Sequence, residues 1–263
     1  MYCLVASERR PSLSHVPGGL AGTGAVRLLD ASGPASASAR RRRGQATQWL
    51  VVANAPLDRF GEAAINARLS DLDWVARAAV AHEGVVEAFT GAPAVLPMKL
   101  FTIFTSDDRA LDHVRGDAPR IDALLRRVAR HHEWGVRIML DPASIRTPAR
   151  RSAAASKVES GRGFLSRKKS QRDDAAERAR RARQTVAAVY DRLAARATLA
   201  RRRMASQLPV RGGPLLLDAA FLVKAASSSR FRGLAARESK ALAPNGYRLT
   251  LTGPWPPYSF VQE

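Results

Sequence analysis

The chain has 263 residues, room for two domains of ordinary size, and 46% hydrophobic residues, enough for a packed core. No run of about 18 or more apolar residues occurs, so no membrane-spanning helix is expected. The opening MYCLVASERR lacks the long apolar stretch of a secretory signal, which points to a cytosolic protein. Cys3 is the single cysteine, which excludes an internal disulfide and a thiolate cluster and reads as ordinary strand filling. The net charge of +20 fits a polyanionic partner. However, only six of the 43 basic residues are Lys, and an Arg- and Ala-rich composition is explained equally well by a GC-rich coding sequence.

In chain order, YCLVA (2–6) is a strand, residues 7–24 are a Ser-, Pro- and Gly-rich loop, and VRLLD (26–30) is a second short strand. Residues 31–47 read as a flexible loop around Arg40 to Arg43, where a contact with nucleic acid or an acidic partner is one reading. WLVVANA (49–55) is a strand. Asp71 is placed to cap a helix over 71–89, with Leu72, Val75, Ala79, Val86 and Phe89 as its buried face. AVLPMKLFTIFT (94–105) reads as a strand with Pro97 near its start, where a missing N–H is tolerated. Ser106 to Asp108 cap a helix that continues to His132 with a break near Gly116 and Pro119. EWGVRIMLD (133–141) then closes the unit as a strand. The β-α-β-α-β order predicts a largely antiparallel sheet with both helices on one side.

Residues 146–160 carry the linker, between a first α+β domain at 1–145 and a second at 161–263. Residues 161–205 are helical in pattern, acidic near the start and ending on Arg201 to Arg203, with Val186, Val189, Tyr190, Leu193 and Ala197 as one apolar stripe. LLLDAAFLVKA (215–225) is a strand. A helix over 227–242 capped by Ser228 or Ser229 ends at Gly246, and YRLTLTGP (247–254) alternates as the last strand. Fold class is therefore α+β in two domains.

Chemistry needs convergent titratable groups, and few are in view. His82-Glu83 begins like a zinc-protease HExxH, but Val86 stands where the second histidine belongs. His131-His132 falls at a helix-to-strand junction with no partner at ligand spacing. No GxxxxGK[ST] loop, strand-linked GxGxxG or GxSxG elbow occurs. The sequence thus offers no catalytic residue, metal ligand or cofactor site. Basic runs at 40–43 and 201–203 lack the aromatic interleaving of an RNA-binding sheet, so a nucleic-acid or polyanion binder remains the alternative reading.

Six stretches in order carry a family resemblance: MYCLVA at the start, DLDWVARAAVAHEGVVEAF (71–89), VLPMKLFTIF (95–104), EWGVRIMLD (133–141), GRGFLSRKK (161–169) and LTGPWPPYSF (251–260). Together they resemble the gas vesicle accessory proteins of the GvpL/GvpF family. The resemblance implies a modified ferredoxin-like second domain with a long helix. It also implies a minor structural or assembly role at the gas vesicle within the cytoplasm, without catalysis. The partner it implies is the small hydrophobic shell protein GvpA, together with other gas vesicle accessory proteins. The family usually reads Pro-x-Arg-Phe-Gly-Thr where this chain has Pro97-Met98-Lys99-Leu100-Phe101-Thr102, so any close backbone approach at Phe101 must be relaxed.

The motif and interaction candidates are Trp74, His82, Pro97, Glu133, Trp134, Gly253, Pro254, Trp255, Pro256, Pro257, Tyr258 and Phe260. Trp74 reads first as a core residue and Glu133-Trp134 as the fixing of a strand entry. In GPWPPYSF (253–260), Gly253 permits a sharp turn and the prolines stop the ladder. Trp255, Tyr258 and Phe260 are expected to pack back over the last domain or across to the first, as a lock rather than a free proline-rich ligand.

Overall fold

The computed structural model describes residues 1–32, 46–141, 161–203 and 213–261. The Arg40–Arg43 loop and the linker at 146–160 lie outside them. The chain divides into two compact units, Met1–Glu133 with Pro254–Glu263, and Trp134–Gly253. The strand expected to close the first unit thus runs almost wholly in the second, and the C-terminal tail belongs to the first.

In the first unit, β1 (Cys3–Ser7), β2 (Arg27–Asp30), β3 (Thr47–Val52) and β4 (Ala94–Pro97) form a sheet of order β2-β3-β1-β4. Every pairing is antiparallel, with Leu4 opposite both Leu50 and Leu96. Side chains alternate across a strand, yet Cys3, Leu4, Val5 and Ala6 are all buried, because both faces are covered. On one face Leu4, Leu50, Val52 and Leu96 meet α4 (Asp107–Gly116) and α5 (Ala118–Val128) through Val114, Leu124 and Val128. On the other, Cys3, Val5, Val51 and Val95 meet Phe60 of α1 (Leu57–Phe60) and Ala78, Val85 and Val86 of α3 (Leu72–Glu87). A short α2 (Glu62–Arg68) links them. The helices therefore lie on opposite faces, not on one. Two-sided burial is what turns CLVA, LVV and AVLP into unbroken apolar runs.

Helix ends follow their caps. The Asp71 side chain accepts from the Trp74 N–H at 2.9 Å, and Ser106 Oγ from the Arg109 N–H at 3.2 Å. Gly116 and Asp117 separate α4 from α5, where Pro119 costs nothing in the first turn because its N–H would be unpaired there anyway. The strand expected over 94–105 stops at Pro97, which sits at its end.

In the second unit, β5 (His131–Leu140) is followed by α6 (Gly161–Ala194), β6 (Leu199–Arg202), β7 (Leu215–Lys224), α7 (Ser228–Leu242) and β8 (Tyr247–Trp255). The strand order β6-β7-β5-β8 with this βαββαβ sequence is the ferredoxin-like arrangement. β6 was expected as the end of the long helix. Its alternation spans only four residues, too few to separate from helical arginines. Trp134, Val136 and Ile138 of β5 and Leu217, Ala219 and Phe221 of β7 share a core with Val186, Val189 and Leu193 of α6 and Phe231 of α7. Arg192 of α6 clamps Glu238 of α7 with two bonds of 2.7 and 2.8 Å. α7 starts after Ser227, which makes no side-chain cap bond, in place of the cap expected from Ser228 or Ser229. Gly246, in the left-handed region, ends the turn before β8. The tail closes with a single turn, α8 (Tyr258–Val261).

Candidate functional site

The candidate surface lies in the first unit and is built on α3. Ala78, His82, Val85 and Val86 turn one side of this helix to the sheet. Its opposite side carries Leu72 and Val80, 76% and 70% exposed, against the expectation that Leu72 is buried. Leu57, Leu69 and Ile103 of the same unit are also exposed, and side chains of this size in water are informative when several share one region. Trp74 is half-buried rather than core. Its ring stacks on Phe101 at 5.1 Å and 10°, and the Arg68 guanidinium lies 4.5 Å from its centroid.

Phe101 has φ 61. A bulky residue in the left-handed region costs on the order of 1–3 kcal/mol, and the Trp74 stack offsets part of that. The position thus combines a backbone turn that favours Gly with an aromatic ring.

Beside this stack a cavity of about 300 Å³ is lined by Ala79, His82 and Glu83 of α3, by Met98, Lys99 and Leu100 after β4, and by Tyr258 of the tail. His82 is buried, with its ring 5.4 Å from that of Tyr2. His82 Nε2 lies 3.1 Å from the Met98 carbonyl, an acceptor only, so the ring proton belongs on Nε2. Burial lowers the His82 pKa and raises those of Glu83, helped by Glu87, and of Tyr258, helped by Glu83. All three shifts favour the uncharged form. The Tyr258 hydroxyl is buried without a hydrogen-bond partner among the described residues. The groove is therefore suited to apolar contact with a few polar handles.

The tail is fixed beside it by Glu133. This buried carboxylate accepts the Ser259 N–H at Oε2 and the Ser259 hydroxyl at Oε1, both at 2.7 Å. Pro256, Pro257, Phe260 and Val261 are buried and Trp255 is half-buried. Val261 enters the core under α4 and α5. Gly253, with φ 119, makes the bend that a side chain would oppose.

Of the sequence candidates, Trp74, His82, Pro97, Glu133, Tyr258 and Phe260 thus share the first unit. Trp134 lies in the core of the second, 6.3 Å from the Phe231 ring, and Gly253 is that unit's last residue. Gly135, next to Trp134, leaves no room for a Cβ, which would meet Thr252 Oγ1 at 2.6 Å. EWG is therefore three separate devices: an anchor for the tail, a core side chain and a close strand approach. Sequence reasoning missed Arg68, Leu57, Leu69 and Val80. Only the density of apolar and acidic residues in LSDLDW (69–74) hinted at that helix corner.

Among the described residues no group of three His, Cys, Asp or Glu side chains is placed to hold a metal ion, and no helix is long and apolar enough to cross a membrane. Fold and surface define an α+β protein of two units, the second ferredoxin-like, with exposed apolar side chains on the first. The chain belongs to the gas vesicle synthesis protein GvpL/GvpF family, whose model matches residues 1–262. It is 33% identical over 216 residues to gas vesicle protein L of Streptomyces sp. (strain CB03234), covering 80% of this chain and 79% of that one. The crystal structure of GvpF from Anabaena sp. PCC7120 superposes with a TM-score of 0.65 at 14% identity, over 100% of this chain and 97% of that one. GvpF from Microcystis aeruginosa gives 0.62 at 14% identity, over 100% and 98%. Membership of that family gives this chain a role in gas vesicle assembly.

Proposed function

We propose that this protein holds the small hydrophobic gas vesicle shell protein GvpA during vesicle assembly in the cytoplasm, as a chaperone-like or nucleating factor and without catalysis. The observation that carries this reading is the set of large apolar side chains left exposed on the first unit, led by Leu57, Leu72 and Val80, on a chain of net charge +20. A shell subunit with a strongly apolar face aggregates unless that face is covered. A partner with apolar anchors covers it, while like charge keeps the holder itself apart. The groove beside Tyr258 supplies a pocket for one side chain of the subunit.

Co-expression of a tagged chain with the shell protein tests it. The wild-type chain recovers the subunit, and Leu72→Glu with Val80→Glu loses at least about tenfold of the recovery with unchanged melting, since both positions face water. Equal recovery by the double variant overturns the assignment of this surface. Recovery of no subunit, with tight and steeply salt-dependent binding of random DNA or RNA instead, overturns the function.

A further inference from the structure

A second surface, in the other unit, has a different chemistry. The helix α6 has 34 residues, so it runs for roughly 50 Å. Only its C-terminal half is covered by its own sheet, through Val186, Val189 and Leu193. The same stripe continues towards the N-terminus as Ala182, Ala179 and Ala175, with the last two exposed. Beside them opens a cavity of about 1080 Å³, with an aliphatic floor of Leu140, Val186 and Leu216 and walls that include Arg178, Arg183 and Arg202. From Arg167 to Arg183 the helix carries eight basic and three acidic side chains.

We propose that this groove docks an acidic amphipathic helix of a partner protein. The spacing 175, 179, 182, 186 alternates four and three, the rhythm of a helix–helix seam, and alanines there let a second helix approach closely. Arg178 and Arg183 immediately flank that seam, in the positions that choose a partner by charge. Both flanks are cationic, so the matching helix carries Glu or Asp on its own flanks and apolar residues between them. A second copy of this chain, at net +20, is repelled. The stretches 33–45, 142–160 and 204–212 of this chain each carry net positive charge and are equally mismatched. Single-stranded nucleic acid is served by several exposed aromatic platforms between cations, whereas Tyr247 is the one aromatic ring among the described residues that line this cavity and Tyr190 lies beneath Arg202 at 4.4 Å. The site is separate from the apolar surface of the first unit, so either assignment fails without the other.

The test uses the full chain and a labelled synthetic helix of about three heptads, with Leu on the seam and Glu on its flanks. Fluorescence anisotropy is expected to show binding at least about tenfold tighter than for a scrambled peptide of equal charge. Arg178→Glu with Arg183→Glu, both on an exposed face, is expected to reverse the preference towards a peptide with Lys flanks, while leaving thermal melting unchanged. Equal binding of the scrambled peptide overturns the proposal, as does a double variant that still prefers Glu flanks. So does tighter binding of phosphatidylserine vesicles or single-stranded DNA than of the helix, if the same double variant abolishes it.

Discussion

The two units solve the same problem, a four-stranded sheet with a hydrophobic face, in different ways. The first covers both faces with helices, so β1 and β4 are buried on both sides and α3 is left with an outer side that carries Leu72 and Val80. The second sets α6 and α7 over one face, and its last strand alternates strictly, with Tyr247, Leu249 and Leu251 inward and Arg248, Thr250 and Thr252 outward. Sidedness of the sheet thus decides how a strand reads in sequence. It also decides where spare surface appears: apolar on the first unit, cationic along the overhanging half of α6.

This contrast is sharpest at the tail, which follows the last strand of the second unit yet belongs to the first. Phe260→Ala removes a buried ring and is expected to cost about 3–5 kcal/mol. Hydrogen exchange should then show protection lost at Leu4 and Leu96 and kept at Phe221 and Leu222; the opposite pattern would break the division. Glu133→Gln weakens two short charged bonds to Ser259 and is expected to cost about 2 kcal/mol, again in the first unit alone, by denaturant melting of the same probes.

Acidification separates the units in a third way. Burial depresses the His82 pKa, so protons bind the unfolded chain more readily. Its contribution is complete above the ordinary imidazole range near 6.5 and is lost as pH falls from there through the folded value. A melting series from neutral to acidic pH, with His82→Gln as reference, measures this as a slope that is shallower in the variant, where the similarly lowered His132 remains. The smallest effect lies at Phe101. There Phe101→Ala keeps the left-handed strain and loses the stack, whereas Phe101→Gly loses both, so Gly should be the more stable replacement by about 1 kcal/mol.

Much of this was legible. Caps at Asp71 and Ser106, the break at Gly116, the strands other than β6 and the closing turn at Gly246 each have local chemistry that outweighs context. What was not legible came from tertiary choice. The sequence over Pro97 to Thr105 is apolar enough for a strand, but the left-handed turn at Phe101 is held by Trp74, a partner remote in sequence. Leu72 fits the periodicity of a buried face, yet the helix is rotated so that Ala78 and His82 face the sheet instead. The role of Glu133 depends on Ser259, and no local pattern joins residues that far apart.

Hydrogen exchange of the full chain, with and without the co-purified shell subunit, tests the central claim most directly. The account predicts new protection on α3 and across Met98 to Ile103, with the sheet of the second unit unchanged. No gain in those segments, or a gain confined to the second unit, would contradict it.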